Sequence, residues 1–377
     1  MMISFNVDDV MTQLQLASGV ISPKTVIPIL SDLLFKTYNS RSSAIVTASD
    51  GDLWSEVKIP LCGDERDADF SFAVNAKDFI SALSNLSGMR VDLTIDEGSS
   101  VAVASYGSGS FQIPVDKPEE FPSPIVNNDG RYERIVSSQT MLDAIGYTEI
   151  AVSPDILRPI MTGIHFDFFQ DRMVAVALDK IKFVKYTDRS VVSDTDESVG
   201  VTVPMKTARM VSQFISKYDG DVKFSFNGSV CIVSKSEFRI ISRLTDGVYP
   251  PYDRLLAAGF PISVKASKSE FVTVLKRVMP MANTSSNCVK LLLRSGFISL
   301  KTEDLSLAKS ANDVVGCDYE GDDFEISVKG SALLSILGNI QSESVTISVS
   351  DRSKPLMLTP VGDDDSTEIV GLIMPMM

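Results

Sequence analysis

The strongest constraint in this chain is internal repetition. Three segments line up: FAVNAKDFISALSNLSGMRVDLTIDEGSSVAVAS, VTVPMKTARMVSQFISKYDGDVKFSFNGSVCIVS and ISVKGSALLSILGNIQSESVTISVSDRSKPLMLTP. Self-similarity at a fixed period means that one supersecondary unit is used several times. Each copy opens with a short alternating strand. A helix follows with apolar residues at helical spacing, as at Phe79, Ile80, Leu83 and Leu86. Then come a strongly alternating strand (Val91, Leu93, Ile95; Val222, Phe224, Phe226; Val345, Ile347, Val349), a polar turn and another strand. Val74, Val203 and Val328 mark the copies, about 125–130 residues apart, a common domain length.

A second set of helices precedes these at matching places: VDDVMTQLQLASG, SSQTMLDAIGY and SKSEFVTVLKRVMP. Ser137 and Ser267 stand as N-caps, able to accept from free backbone N–H groups. Each third therefore reads as helix, strands, helix, strands. The alternation implies antiparallel sheet with one face buried. Pro-rich joints near residues 119 and 250 divide the chain into 1–124, 125–250 and 251–377. The expected class is α+β: three similar domains of antiparallel sheet, two helices each. Such an array leaves exposed edges at the chain's two ends, which a head-to-tail neighbour can pair and close.

Composition narrows the function. Hydrophobic residues make up 44 % of the chain, which suits globular domains. No apolar run approaches the roughly 18–20 residues that cross a bilayer, and the N-terminus has no basic, greasy leader pattern. Four scattered cysteines (Cys62, Cys231, Cys288, Cys317) without a CxxC pair predict neither disulfides nor zinc, and a cytoplasmic protein. The net charge of −14 argues against a surface that grips phosphate everywhere, though a local basic stripe is compatible with it.

Catalytic chemistry finds little footing. His165 is the sole histidine and sits in an alternating strand, so no His-based triad or multi-histidine metal site can form. No GxxxxGK[ST] loop is present, and SYGSGS lies between strands rather than opening a helix. The acidic pairs Asp8–Asp9 and Asp363–Asp365 read as solvated loops or helix N-terminal charges. No catalytic residue, metal or cofactor is expected. Two alternatives remain: a carboxylate-dependent enzyme such as a glycoside hydrolase, poorly served by a single tryptophan, Trp54; and a structural or adhesive repeat protein.

Several segments then carry a resemblance. TVIPILSDLLF (residues 25–35) and TASDGDLWSEVKI lie in the first third, and RPIMTGIHFDFFQDRMVAVALDKIKFVKY (158–186) in the second. YPPYDRLL (249–256) forms a joint, and the chain ends IVGLIMPMM. In order and spacing, over essentially the full length, these resemble the bacterial DNA sliding-clamp family, the β subunits of DNA polymerase III. The resemblance implies three similar domains per subunit and a head-to-tail homodimeric ring around duplex DNA. It also implies a pocket that holds short peptide motifs of polymerase and clamp-loader subunits, and no role for a membrane.

Carried over residue by residue, the peptide groove falls on Met161, Leu178, Lys180, Ile181, Lys182, Phe183, Pro250, Arg254, Leu255, Leu372, Ile373, Met374, Pro375 and Met376. Methionines suit such a groove because they tolerate varied shapes. A plain edge strand is the competing account of the C-terminal hydrophobes. The sequence departs from the family here: its threonine-aspartate-glycine-histidine-arginine-leucine turn is LDKIKF, and its C-terminal arginine-leucine is replaced by Met377. Those changes leave the partner peptide open. Contact with DNA is expected to be electrostatic and blind to sequence. Its candidates are Lys24 after the first helix, Lys77 on the second, and Arg158 at a middle-domain turn. Lys206 and Arg209 follow on the fourth helix, Lys268, Lys276 and Arg277 on the fifth, and Lys329 on the sixth. Ring closure in the family maps onto Phe111 and Ile113 on one side and Pro280 and Met281 on the other.

Overall fold

A computed structural model describes residues 2–37, 42–62, 70–96, 100–124, 126, 131–193, 198–218, 220–257, 259–362 and 366–376. Its helices are α1 (Val7–Ser18), α2 (Ala76–Leu83), α3 (Ser138–Thr148), α4 (Met205–Ile215), α5 (Asp253–Leu256), α6 (Lys268–Val278) and α7 (Gly330–Asn339). Their starts follow local chemistry. Asn75 accepts from the Asp78 amide at 3.3 Å to open α2, and Ser267 accepts from the Glu270 amide at 3.4 Å to open α6. Along α6, Phe271, Val274, Leu275 and Val278 recur at helical spacing and are buried. Lys276 and Arg277 occupy its last turn, where positive charge suits the helix dipole.

Every third of the chain runs strand, helix, three strands, strand, helix, three strands. The sequence reading lacked the first strand of each third: Met2–Asn6, Tyr132–Ser137 and Ile262–Ser267. It also lacked the one-turn helix α5 in the second joint. Ser137 does stand directly before α3. Lys329 is not on a helix; it ends strand Phe324–Lys329 and occupies the N-cap position of α7.

The chain divides into two compact units, Met1–Ser138 with Arg209–Leu244, and Gln139–Ala208 with Thr245–Met377. Among the described residues each unit holds one twelve-stranded sheet, antiparallel throughout. In the first unit, Leu53–Pro60 of the first third pairs with Phe238–Arg243 of the second, Trp54 opposite Ile241. In the second unit, Lys182–Asp188 pairs with Thr367–Ile373, Phe183 opposite Leu372. The two junctions therefore use equivalent strands in equivalent register.

Besides the strands that end each sheet (Met2–Asn6, Tyr132–Ser137, Val199–Pro204 and Phe324–Lys329), two strands keep a long open edge among the described residues. Gly109–Asp116 pairs with Val101–Tyr106 on one side, but with Ser71–Asn75 only through Val115 and Asp116. Lys309–Asp318 pairs with Phe297–Asp304, but with Ile262–Ser267 only through Cys317 and Asp318. No described helix is long and apolar enough to cross a membrane.

Candidate functional site

Strand Met173–Leu178 reads MVAVAL and is buried along nearly all its length, so both faces of the sheet are covered there. One face carries the helical core: Ala177, Val184 and Ile373 pack with Phe271, Val274, Leu333 and Ile336. Gly371 permits this, since a Cβ there would stand 2.6 Å from Ile336 Cγ2. The opposite face carries a separate apolar cluster. Val174, Val176, Phe183, Val370 and Leu372 form its floor, and Tyr249 and Tyr252 close one side. Ile160, Leu178, Leu255, Leu256, Phe260 and Met357 rim it, each partly exposed. Alternation along the strands sorts the residues between these two faces.

The expected groove residues separate on this geometry. Phe183, Leu372, Leu178 and Leu255 belong to the cluster. Met161 is buried, Pro250 half-buried in the joint, and Arg254 exposed on α5. Ile373 is fully buried in the helical core and cannot line the groove; one residue along a strand reverses the face. Ile181 also packs against that core. Lys182 directs its ammonium onto the Ile150 carbonyl and stands 3.9 Å from Asp179, so it braces the turn rather than facing a ligand. Asp179 shapes that turn by accepting from the amides of Ile181 (2.7 Å) and Lys182 (2.6 Å). Lys180 is exposed and pairs with Asp155 at 3.5 Å. The C-terminal strand is not an edge strand, because Leu356–Pro360 flanks its other side. Met374, 37 % exposed, hydrogen-bonds through its amide to the Ile181 carbonyl (2.8 Å). Pro375 and Met376 run on to strand Phe324–Lys329, bridging Val328 and donating to the Ser327 carbonyl.

The first junction is built differently in the same register. There Trp54 takes the place of Phe183 and Ile241 that of Leu372, and Phe121–Pro122 answers to Tyr249–Pro250 in the joint. Trp54, Phe121, Ile241, Ile29 and Leu34 are all buried, and the indole N–H holds the Pro122 carbonyl at 3.0 Å. The indole bond pins the joint over the larger ring.

Sequence reading missed Tyr249, Tyr252, Val174, Val176, Val370, Phe260 and Met357. The uninterrupted apolar run MVAVAL was a usable signal for a second covered face. His165, the histidine of the alternating strand, has structural surroundings. Its ring stacks on Tyr249 (centroids 4.3 Å, 5°), with Nδ1 2.9 Å from Thr202 Oγ1 and Nε2 3.2 Å from Asp167. The Tyr252 hydroxyl donates to Asp167 at 2.6 Å. Burial pushes the Asp167 carboxyl up, but the hydrogen bond and charge of His165 and the Tyr252 bond more than offset it, leaving it below its ordinary value. Burial and Asp167 push the Tyr252 phenol up, so it remains a donor.

Of the expected DNA contacts, Lys24, Lys77, Arg158, Lys206, Arg209 and Lys276 are exposed. Lys206 and Arg209 lie three apart on α4, hence on one face. Lys268 instead donates to the Ile340 carbonyl (2.8 Å) at the end of α7, and Arg277 pairs with Asp313 at 2.8 Å. Lys329 is half-buried. Helix α7 itself carries no Lys or Arg, so three of the longer helices, not four, are basic. Of the ring-closing residues, Phe111 is half-exposed and Met281 38 % exposed, with Pro280 beside it. Ile113 is buried within its own unit. Asp8 accepts from the Ser87 hydroxyl (2.8 Å) and the Gly88 amide (3.0 Å), a structural role. Asp363–Asp365 lies outside the described residues.

Comparisons with known proteins agree along the whole chain. Residues 1–125, 135–251 and 253–377 match the N-terminal, central and C-terminal domain models of the DNA polymerase III beta subunit. A beta sliding clamp of Staphylococcus aureus is 25 % identical over 370 residues, 96 % of each chain. The DNA polymerase III subunit beta of Pseudomonas aeruginosa superposes with a TM-score of 0.92 at 21 % identity, covering all of both chains. The Streptococcus pyogenes beta subunit gives 0.90 at 24 %, again over all of both. Neither the glycoside hydrolase nor the adhesive repeat reading finds support. With all three domains matched in order, the chain belongs to the DNA polymerase III beta subunit family.

Proposed function

We propose that this sliding clamp closes head to tail with a second copy around duplex DNA. It then holds polymerase and clamp-loader subunits by short apolar peptides seated in the groove over Phe183 and Leu372. It works in the cytoplasm without catalysis, metal or cofactor. Domain limits at 1–124, 125–250 and 251–377 accord with the three matched segments.

The observation that carries the reading is the pattern of junctions. Strand Leu53–Pro60 is joined by Phe238–Arg243, and its repeat Lys182–Asp188 by Thr367–Ile373. The third members of these two sets are Lys309–Asp318 and Gly109–Asp116, each with a long open edge. One junction of the same kind thus remains to be made, and only a second chain can supply both halves in a closed ring. The repeat also sets its register. Arg239 is opposite Glu56, and Val370 opposite Lys185. The corresponding closing pair is Ser110 with Asn312 of the other copy.

The P. aeruginosa and Bartonella birtlesii clamps have been solved bound to griselimycin; we take that compound as the probe of this groove.

DNA contact is tested on α4. The Lys206→Glu, Arg209→Glu double substitution should lower DNA association and flatten its salt dependence, because each lost phosphate contact removes about one released counterion. Gel shift at several salt concentrations reads both, with circular dichroism verifying the fold. An unchanged salt slope would exclude these two residues.

A further inference from the structure

The groove's joint wall is held by a polar chain that the other junction lacks. Thr202, His165, Asp167 and Tyr252 are linked in series at 2.9, 3.2 and 2.6 Å, and Tyr249 lies flat on the imidazole. His165 and Thr202 sit opposite each other on neighbouring strands; the equivalent pair in the first unit is Leu34 and Ala73, both apolar. Room for the chain comes from Gly200, opposite Asp167. A Cβ at Gly200 would stand 2.5 Å from Asp167 Oδ1 and 3.0 Å from His165 Nε2. Its φ lies outside the left-handed region, so space rather than conformation explains the glycine there.

Tyr252 is directly followed by α5, which presents Leu255 and Leu256 at the groove. We propose that Asp167 is a positioning residue for peptide capture: through Tyr252 it locks the joint so that α5 stands ready as a groove wall. The inference rests on the groove reading above. A wall held in place before binding leaves less ordering to be done on association, and a fraction of closed joints below one weakens apparent affinity in proportion. His165 sets the carboxylate from behind, and Gly200 leaves it space.

The test is griselimycin affinity of the full-length protein, by calorimetry or fluorescence, across a small set of variants. Tyr252→Phe removes one oxygen and keeps the ring against Phe183, 6.1 Å between centroids. It should weaken binding about tenfold, as should Asp167→Leu and Gly200→Ala. Asp167→Asn should stay within about twofold of wild type. Its amide oxygen still accepts from Tyr252, while its NH2 turns to His165 Nε2 and the imidazole takes the other tautomer. A merely structural loss would not be rescued by Asn while Leu fails. The proposal is overturned if Tyr252→Phe and Asp167→Leu bind like wild type, or if Asn fails as Leu does. Removal of residues 374–377 separates the two readings. If it abolishes binding while the joint variants do not weaken it, the groove stands and the positioning role falls. If wild type itself does not bind griselimycin, both fall.

Discussion

Removal of residues 374–377 is expected to reduce griselimycin affinity on the order of a hundredfold, the loss of one binding hot spot of a few kcal/mol. Met374 is the tail residue left exposed, and its amide is tied to Ile181 in the turn that follows Leu178. The fold should survive the truncation. Leu372 and Ile373 remain in a strand flanked on both sides, and the tail is tied to the rest of its unit by the amide bonds to Ile181 and Ser327 and by the Pro375 bridge. Each such bond contributes about 1 kcal/mol net. Calorimetric affinity, with native mass measured in parallel, should therefore show that roughly hundredfold loss with oligomer mass kept. Retained affinity would move the site away from the tail.

A chain carrying both Ser110→Cys and Asn312→Cys should form an interchain disulfide in high yield on mild oxidation. Directly opposed residues in an antiparallel ladder have Cα atoms about 4.5–5.5 Å apart, within reach of a disulfide. Both positions are exposed, so the substitutions leave the core alone. The same register already brings the Arg239 guanidinium within 3.6 Å of Glu56 in the first junction. Of the native thiols, Cys231 is buried and burial pushes it up to about 12, whereas the partly exposed Cys62, Cys288 and Cys317 are replaced by Ser in this background. Either single variant alone should stay monomeric on a denaturing non-reducing gel. A disulfide that forms equally well with positions shifted two residues along would refute the register.

Much of the fold was legible because side-chain period and repeat length are local properties. Val91, Leu93 and Ile95 alternate whatever they pack against. The initial strands were harder. Met2–Asn6 owes its place to pairing with Arg90–Ile95, more than eighty residues away, and its own five residues carry little pattern. At the groove, Phe183 and Leu372 were legible through family resemblance. Ile373 was misplaced because adjacent strand residues differ by a full reversal of face, which only the register fixes. Lys182 reads as a ligand-facing charge in sequence, yet its ammonium is spent on the Ile150 carbonyl. The Asp167–Tyr252 bond joins residues 85 apart, and no local spacing announces it. The two junctions differ in one ring, Trp54 against Phe183, whose neighbours come from distant strands.

The central claim is that DNA is held by topology, and it can be read without a loader. Dilute Ser110→Cys, Asn312→Cys protein is concentrated in the presence of nicked circular or linear DNA of equal length, oxidised, then washed in high salt. The wash screens the electrostatic contacts that would otherwise hold both forms. Retention on the circle with loss from the linear molecule, reversed by a reducing agent, is the predicted result. Equal retention on both, or none on the circle despite complete cross-linking, would contradict an encircling ring.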